Sequence, residues 1–236
     1  MSQTDEPENR KQIEVCSDGP YMITGDIPLV SKTQVVSEYG EPLTWKKDGD
    51  IQAEPGYFLC RCGHSSCKPF CDATHLKLGF DGTETALTSP TTARQETYPG
   101  STNIVIKIDM DLCTEAGFCA NRVTSIAEMA TRTDDTQVRA QAIAMVERCP
   151  SGALTYALKE GEPDIETDLP QQIAVTTEIT SDGPIQGPLW VTGNIPILRS
   201  DGQPFETRNR VTLCNCGHSH AKPLCDGSHR AYPTRK

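Results

Sequence analysis

One arrangement of thiol and imidazole side chains, written twice, constrains this chain more than anything else in it. Cys60, Cys62, Cys71 and His75 follow the spacing Cys-x-Cys-x8-Cys-x3-His, and Cys214, Cys216, Cys225 and His229 repeat it 154 residues later. Three thiolates and one imidazole on one short loop form a donor set for a thiophilic metal centre. A lone cysteine is ordinarily a small buried hydrophobe, but packing does not generate two matching sets of four. The fold must therefore present two short metal-binding loops, and the segments before them show how.

Ser17-Asp18-Gly19-Pro20 and Thr24-Gly25-Asp26-Ile27-Pro28 return as Ser181-Asp182-Gly183-Pro184 and Thr192-Gly193-Asn194-Ile195-Pro196, and Glu41-Pro42-Leu43 is echoed by Gln203-Pro204-Phe205. A whole domain is duplicated, not a loop. Hydrophobic residues make up only 36% of 236 residues and aromatics 6%, with 17 prolines and 18 glycines. Such a lean chain with many turns is expected to draw part of its stability from bound metal. Tyr21–Thr24, Gln34–Val36 and Tyr57–Leu59 read as strands between turn signals. Between the copies, Asn103–Ile108 and Ala153–Leu158 read as strands. Asp135–Arg148 reads as a helix with Val138, Ala142, Met145 and Val146 on one face and Asp134 or Asp135 as N-cap. The predicted organisation is a disordered tail (1–12), a first copy (13–90), an insert (101–160) and a second copy (172–236), with polar linkers at Thr88–Gly100 and Glu160–Gln172. The fold class is α+β and β-rich.

The donors leave two metals open. Structural zinc sites usually separate paired cysteines by two to four residues, and a single intervening residue is uncommon there. A 2Fe-2S cluster suits the spacing better, with two thiolates on one iron and a thiolate and an imidazole on the other. The insert adds Cys113, Cys119 and Cys149, the last followed by Pro150. A bacterial ferredoxin cluster takes three ligands from Cys-x2-Cys-x2-Cys and a fourth from a distant Cys-Pro. Here Ala116 stands in the middle position. Three thiolates suit a 3Fe-4S cluster, or a 4Fe-4S cluster whose fourth iron takes water or a carboxylate such as Glu115; the alternative is a domain that kept its fold and lost its cluster.

Cys60 to His75 resembles the CDGSH motif of the NEET-type iron-sulfur proteins, and Cys225-Asp226-Gly227-Ser228-His229 spells it out. The resemblance implies one 2Fe-2S cluster per loop, held by three cysteines and a solvent-reachable histidine. It also implies a two-fold pairing of such units through β strands, supplied here by one chain. Ser65 and Ser219, Pro69 and Pro223, and Asp72 and Asp226 fall on further motif positions, supporting the loop and capping the helix that follows. The first loop departs at Ala73, where the family prefers glycine; if that position needs a positive φ, alanine there costs about 1 kcal/mol. The insert, from about Thr102 to Lys159, resembles the divergent single-cluster ferredoxins, with Cys149-Pro150-Ser151-Gly152-Ala153-Leu154 as a second hallmark.

A net charge of -10 argues against nucleic acid as a partner. No stretch approaches the ~20 apolar residues of a membrane span. Met1–Lys11 is polar, so the cysteines read as metal ligands in a reducing cytoplasm rather than as disulfides. Cys16 reads as a packing residue, and Cys67 lies inside the first loop. All five histidines belong to or adjoin the two loops, and no dinucleotide fingerprint occurs. The expectation is thus not an enzyme but an electron carrier working with a redox partner protein. The runner-up is a donor of labile clusters to an apo-iron-sulfur acceptor, or a redox or pH stress sensor; a structural zinc protein is a further alternative. Because an imidazole ligand can be protonated, the clusters are expected to be lost below neutral pH and to be held by His75→Cys and His229→Cys.

Overall fold

The computed structural model describes residues 10–102 and 104–233. Most of the expected tail lies outside them, but its last residue, Gln12, already opens a strand. The first copy comprises β1 (Gln12–Val15), β2 (Tyr21–Thr24), β3 (Leu29–Val36), β4 (Pro42–Ile51), β5 (Phe58–Leu59) and, after its metal loop, the short helix α1 (Thr74–Leu78). The insert comprises β6 (Glu96–Pro99), β7 (Val105–Ile108), α2 (Ile126–Ala130), α3 (Thr136–Arg148) and β8 (Leu154–Ala157). The second copy comprises β9 (Gln172–Thr180), β10 (Gly183–Thr192), β11 (Ile197–Leu198) and β12 (Arg210–Leu213).

The copies interleave. Sheet order is β11-β1-β2-β5 in one sheet and β12-β10-β9-β3-β4 in another. Each copy's hairpin thus receives a strand from the other, β1 beside β11 and β9 beside β3, both parallel. The main chain makes the same link twice: Ile13 N–H donates to Pro196 O and Ile173 N–H to Pro28 O, each at 2.9 Å. Alternation in β1 and β2 sends Ile13, Val15, Tyr21 and Ile23 inward, and they join Ile173, Leu189, Val191 and Leu213 in one core. Neither copy alone could bury these faces. The copies differ in hairpin length: β9–β10 runs 21 residues from Gln172 to Thr192, against 13 from Gln12 to Thr24. The extension carries Glu178, which has no counterpart in the first copy.

In the insert a three-stranded antiparallel sheet, order β6-β7-β8, packs under α2 and α3. The expected helix is present. Asp135 is its N-cap and accepts from Gln137 N and Val138 N, while Ala142 and Val146 are buried and Val138 and Met145 pack beside them. Asn103, at the start of an expected strand, lies outside the described residues; the strand itself runs Val105–Ile108. The linker expected at Thr88–Gly100 is corrected: its Glu96–Pro99 is a strand, paired with β7 and made extended by Thr97 and Tyr98 against Lys107 and Ile106. Arg210 of β12, 1% exposed, ties the insert to the second copy. Its Nη1 donates to Val146 O, Glu147 O and Cys149 O at 2.8, 2.7 and 3.1 Å, and its Nη2 to Leu154 O at 3.0 Å. A cation at the C-terminus of α3 satisfies carbonyls that the helix leaves open.

Candidate metal centres

Each metal loop folds back on the strand before it. Cys60 N–H donates to Pro69 O and Cys71 N–H to Phe58 O; in the second copy Cys214 N–H donates to Pro223 O and Cys225 N–H to Thr212 O. This hairpin brings the third cysteine back beside the first. The donors then stand in pairs. Cys60 and Cys62 Sγ are 3.9 Å apart and Cys214 and Cys216 Sγ 3.7 Å, while Cys71 Sγ to His75 Nδ1 and Cys225 Sγ to His229 Nδ1 are each 3.4 Å. Two donors on one tetrahedral metal at ~2.3 and ~2.0 Å stand about 3.5–3.8 Å apart, so each pair fits one metal. Among the described residues no three His, Cys, Asp or Glu side chains are spaced to hold a single ion. Each pair offers one metal two donors, and Nδ1 of each histidine is the ring nitrogen turned to the cysteine sulfur.

The supporting residues occupy the same posts in both loops. Ser65 Oγ donates to Phe70 O and Ser219 Oγ to Leu224 O. Asp72 accepts from Ser66 N and Thr74 N, and Asp226 from His220 N and Ser228 N. Hydrogen bonds from Ser66 and Thr74 hold the Asp72 carboxyl far below the usual range. Burial would raise Asp226, but hydrogen bonds from Ser228 and His220 keep it at about 2. Ala73 does take a positive φ, 63°, where Gly227 has 88°, so the first loop carries the left-handed strain that the second avoids.

Burial pushes the thiols of Cys62, Cys71 and, most of all, Cys225 upward. Cys214 and Cys216 titrate as a pair. The hydrogen bond from Cys216 outweighs burial and, with the N–H groups of Ser219, Cys216 and Gly217, draws Cys214 down to about 6, while Cys216 is raised. A bound cation would deprotonate such thiols outright. N–H groups already point at sulfur, Ala73 N at Cys71 Sγ (3.4 Å) and His218 N at Cys216 Sγ (3.5 Å).

One expectation is corrected. His75 is half-buried, but His229 is only 1% exposed and is not solvent-reachable. The reason is the longer second hairpin: Glu178 reaches over it, with Oε2 3.0 Å from His229 Nε2 and 2.7 Å from Arg230 Nη2.

In the insert, Cys113 and Cys119 are half-buried and Cys149 is buried. Burial raises the thiols of Cys113 and Cys119, and each is raised further by the charge of Cys149. Ala116, at the position of the missing thiolate, gives its carbonyl to Gln34 Nε2 at 3.1 Å. Trp45 packs between Phe118 and Trp190, at 5.8 and 5.7 Å between ring centroids, so β4 of the first copy clasps this loop. Glu115, at φ 55°, lies against the second metal loop, where a Cβ on Gly227 would stand 3.1 Å from its Cγ.

The two metal loops also meet. A Cβ on Gly63 would stand 2.3 Å from Cys216 O, and one on Gly217 2.5 Å from Cys62 O. Tyr21 of the first copy donates to Cys214 O (2.7 Å) and Pro223 O (3.0 Å) of the second loop. Sequence reasoning missed these residues. A glycine directly after the second cysteine of both loops was a signal of close approach; Tyr21 and Glu178 lie too far along the chain to leave one. Cys16 is half-buried near Arg61, and Cys67 is exposed.

The family described as iron-binding zinc finger, CDGSH type, matches residues 18–76 and 186–230, and that described as divergent 4Fe-4S mono-cluster matches residues 100–159. No curated protein and no solved structure matches the chain significantly. No helix among the described residues is long and apolar enough to cross a membrane.

Proposed function

Starting from a CDGSH-type iron-binding chain, in which two CDGSH domains flank a divergent 4Fe-4S mono-cluster domain, we propose an electron carrier built as an internal pseudo-dimer. Cys60, Cys62, Cys71 and His75 would hold one 2Fe-2S cluster, and Cys214, Cys216, Cys225 and His229 another. Cys113, Cys119 and Cys149 would hold a 4Fe-4S or 3Fe-4S cluster in a ferredoxin-like domain. Such clusters, when bound, supply one-electron chemistry at potentials set by charge, hydrogen bonding and exposure. The residues do the rest: they fix donor geometry, aim N–H groups at sulfur and keep water from the second site.

The observation that carries this reading is contiguity. Glu115 of the insert abuts Gly227 of the second loop, and Gly217 of the second loop abuts Cys62 of the first. Three redox sites in an unbroken row on one chain suit stepwise electron passage, with the half-exposed His75 at the open end for a partner protein. Two donor pairs per loop, with a single residue between the first two cysteines, favour the cluster over a lone zinc ion. The role is that of a carrier and not an enzyme.

Iron and sulfide analysis of anaerobically purified protein, with electron paramagnetic resonance before and after dithionite, tests the proposal. Two 2Fe-2S clusters with a 4Fe-4S give about eight irons, and with a 3Fe-4S about seven. A colourless protein rich in zinc and free of acid-labile sulfide refutes it. Exposure of His75 favours one second reading, release of the first cluster to an apo-acceptor, which iron transfer without reduction would reveal.

A further inference from the structure

The two CDGSH loops present the same donors, but only the second has a carboxylate sealed against its histidine among the described residues. Arg61, between the paired cysteines of the first, donates to the carbonyls of Cys16 (3.2 Å) and Gly82 and lies beside Tyr21, whose hydroxyl is bound to the second loop, so its charge is shared by both sites. Behind His229, in turn, stands Glu178, 0% exposed. Arg230 pairs with it, but that side chain is 30% exposed, so water shares in screening the cation while the carboxylate is sealed against the ligand. Glu178 Oε1 receives no hydrogen bond among the described residues. The histidines paired with a carboxylate there are His220 and His229, not His75.

Because Nδ1 of His229 faces Cys225 Sγ, Nε2 carries the proton and donates it to Glu178. A carboxylate receiving that proton makes the imidazole a stronger electron donor to whatever metal it holds. Buried charge also acts at low effective dielectric. An anion sealed beside the second centre opposes an added electron there.

We propose that Glu178 separates the two centres in reduction potential, the first being the stronger acceptor, so that electrons run from the insert through the second site to the first. One electron leaves the second site and arrives at the first; no proton moves and no bond is exchanged. The inference rests on the electron-carrier reading above. It makes Glu178 a positioning residue, acting through His229 and through the field it imposes.

The test is a redox titration of full-length, iron-sulfur-loaded protein followed by electron paramagnetic resonance. Two one-electron midpoints are expected for the 2Fe-2S signals, far enough apart for the first electron to favour the first site at least tenfold, which is about 59 mV. His75→Cys marks the first site by removing its imidazole signature, and the altered signal should be the one reduced first in wild type. Glu178→Gln should raise the lower midpoint and leave the higher in place. Coincident midpoints in wild type overturn the inference whether or not the variants fold, and so does a first-reduced wild-type signal that persists unchanged in His75→Cys. Absence of any 2Fe-2S signal and of sulfide would instead overturn the carrier reading and this inference with it.

Discussion

Gly63→Ala is the sharpest test of the interleaved architecture, because the cost of one methyl group can be worked out term by term. At φ 81° the new side chain would sit in the left-handed region, which costs about 1–2 kcal/mol. Its Cβ would stand 2.3 Å from Cys216 O and 2.7 Å from the carbonyl carbon. Both are main-chain atoms, so the two metal loops must part by roughly 1 Å, an overpacking that costs about 1–3 kcal/mol. Reduced freedom of the unfolded chain returns about 0.4–1 kcal/mol. The net loss is about 3 kcal/mol. Gly40→Ala is the control: Gly40 has the same φ, 81°, with nothing within 4 Å of a built Cβ, so only the first and last contributions remain, about 0.5–1 kcal/mol. Urea unfolding of the iron-sulfur-loaded protein should therefore place Gly63→Ala about 2 kcal/mol below Gly40→Ala, a midpoint difference of about 0.7 M for a slope of about 3 kcal/mol/M. Gly217→Ala, whose Cβ would meet Cys62 O at 2.5 Å, should match Gly63→Ala. If the Gly63 variant costs no more than the Gly40 variant, the loops are not back to back and the row of sites does not exist.

Arg210→Met would remove a donor from Val146 O, Glu147 O, Cys149 O and Leu154 O, of which Val146 O keeps the Cys149 N–H, while keeping most of the side-chain volume; a loss of about 3 kcal/mol is expected in urea unfolding, and a loss under about 1 kcal/mol would show that this anchor is not needed. Asp226→Asn probes the loop support. The folded pKa of about 2 lies below the ordinary 3.8, so the stabilisation is present above about pH 4 and is lost as pH falls toward about 2. After discounting for solvent screening it amounts to about 1 kcal/mol. The gap between wild type and variant should be full at pH 7 and should narrow below pH 4; a gap independent of pH would contradict the assignment.

The pairing of the donor residues was legible because it is local: Cys-x-Cys-x8-Cys-x3-His lies on one loop, which sets the first cysteine beside the second and the third beside the histidine in both copies. The Asp and Ser posts were legible for the same reason, each bonding within six residues of itself. The helix from Thr136 to Arg148 followed from a periodic apolar face and Asp135 as cap. The strand at Glu96–Pro99 was hidden because short polar runs become strands only when a neighbour offers its edge, and β7 supplies that edge.

By itself the sequence determined that two identically spaced Cys/His loops flank a third cysteine set, and that iron-sulfur chemistry suits all three. Tertiary structure alone decided how they differ and in what order they stand. The exchange of β3 and β11 brings Gly63 against Cys216, and the longer second hairpin drops Glu178 onto His229. Donor identity is a property of residues a few positions apart, whereas the field around a centre is summed over charges that only the folded chain brings near.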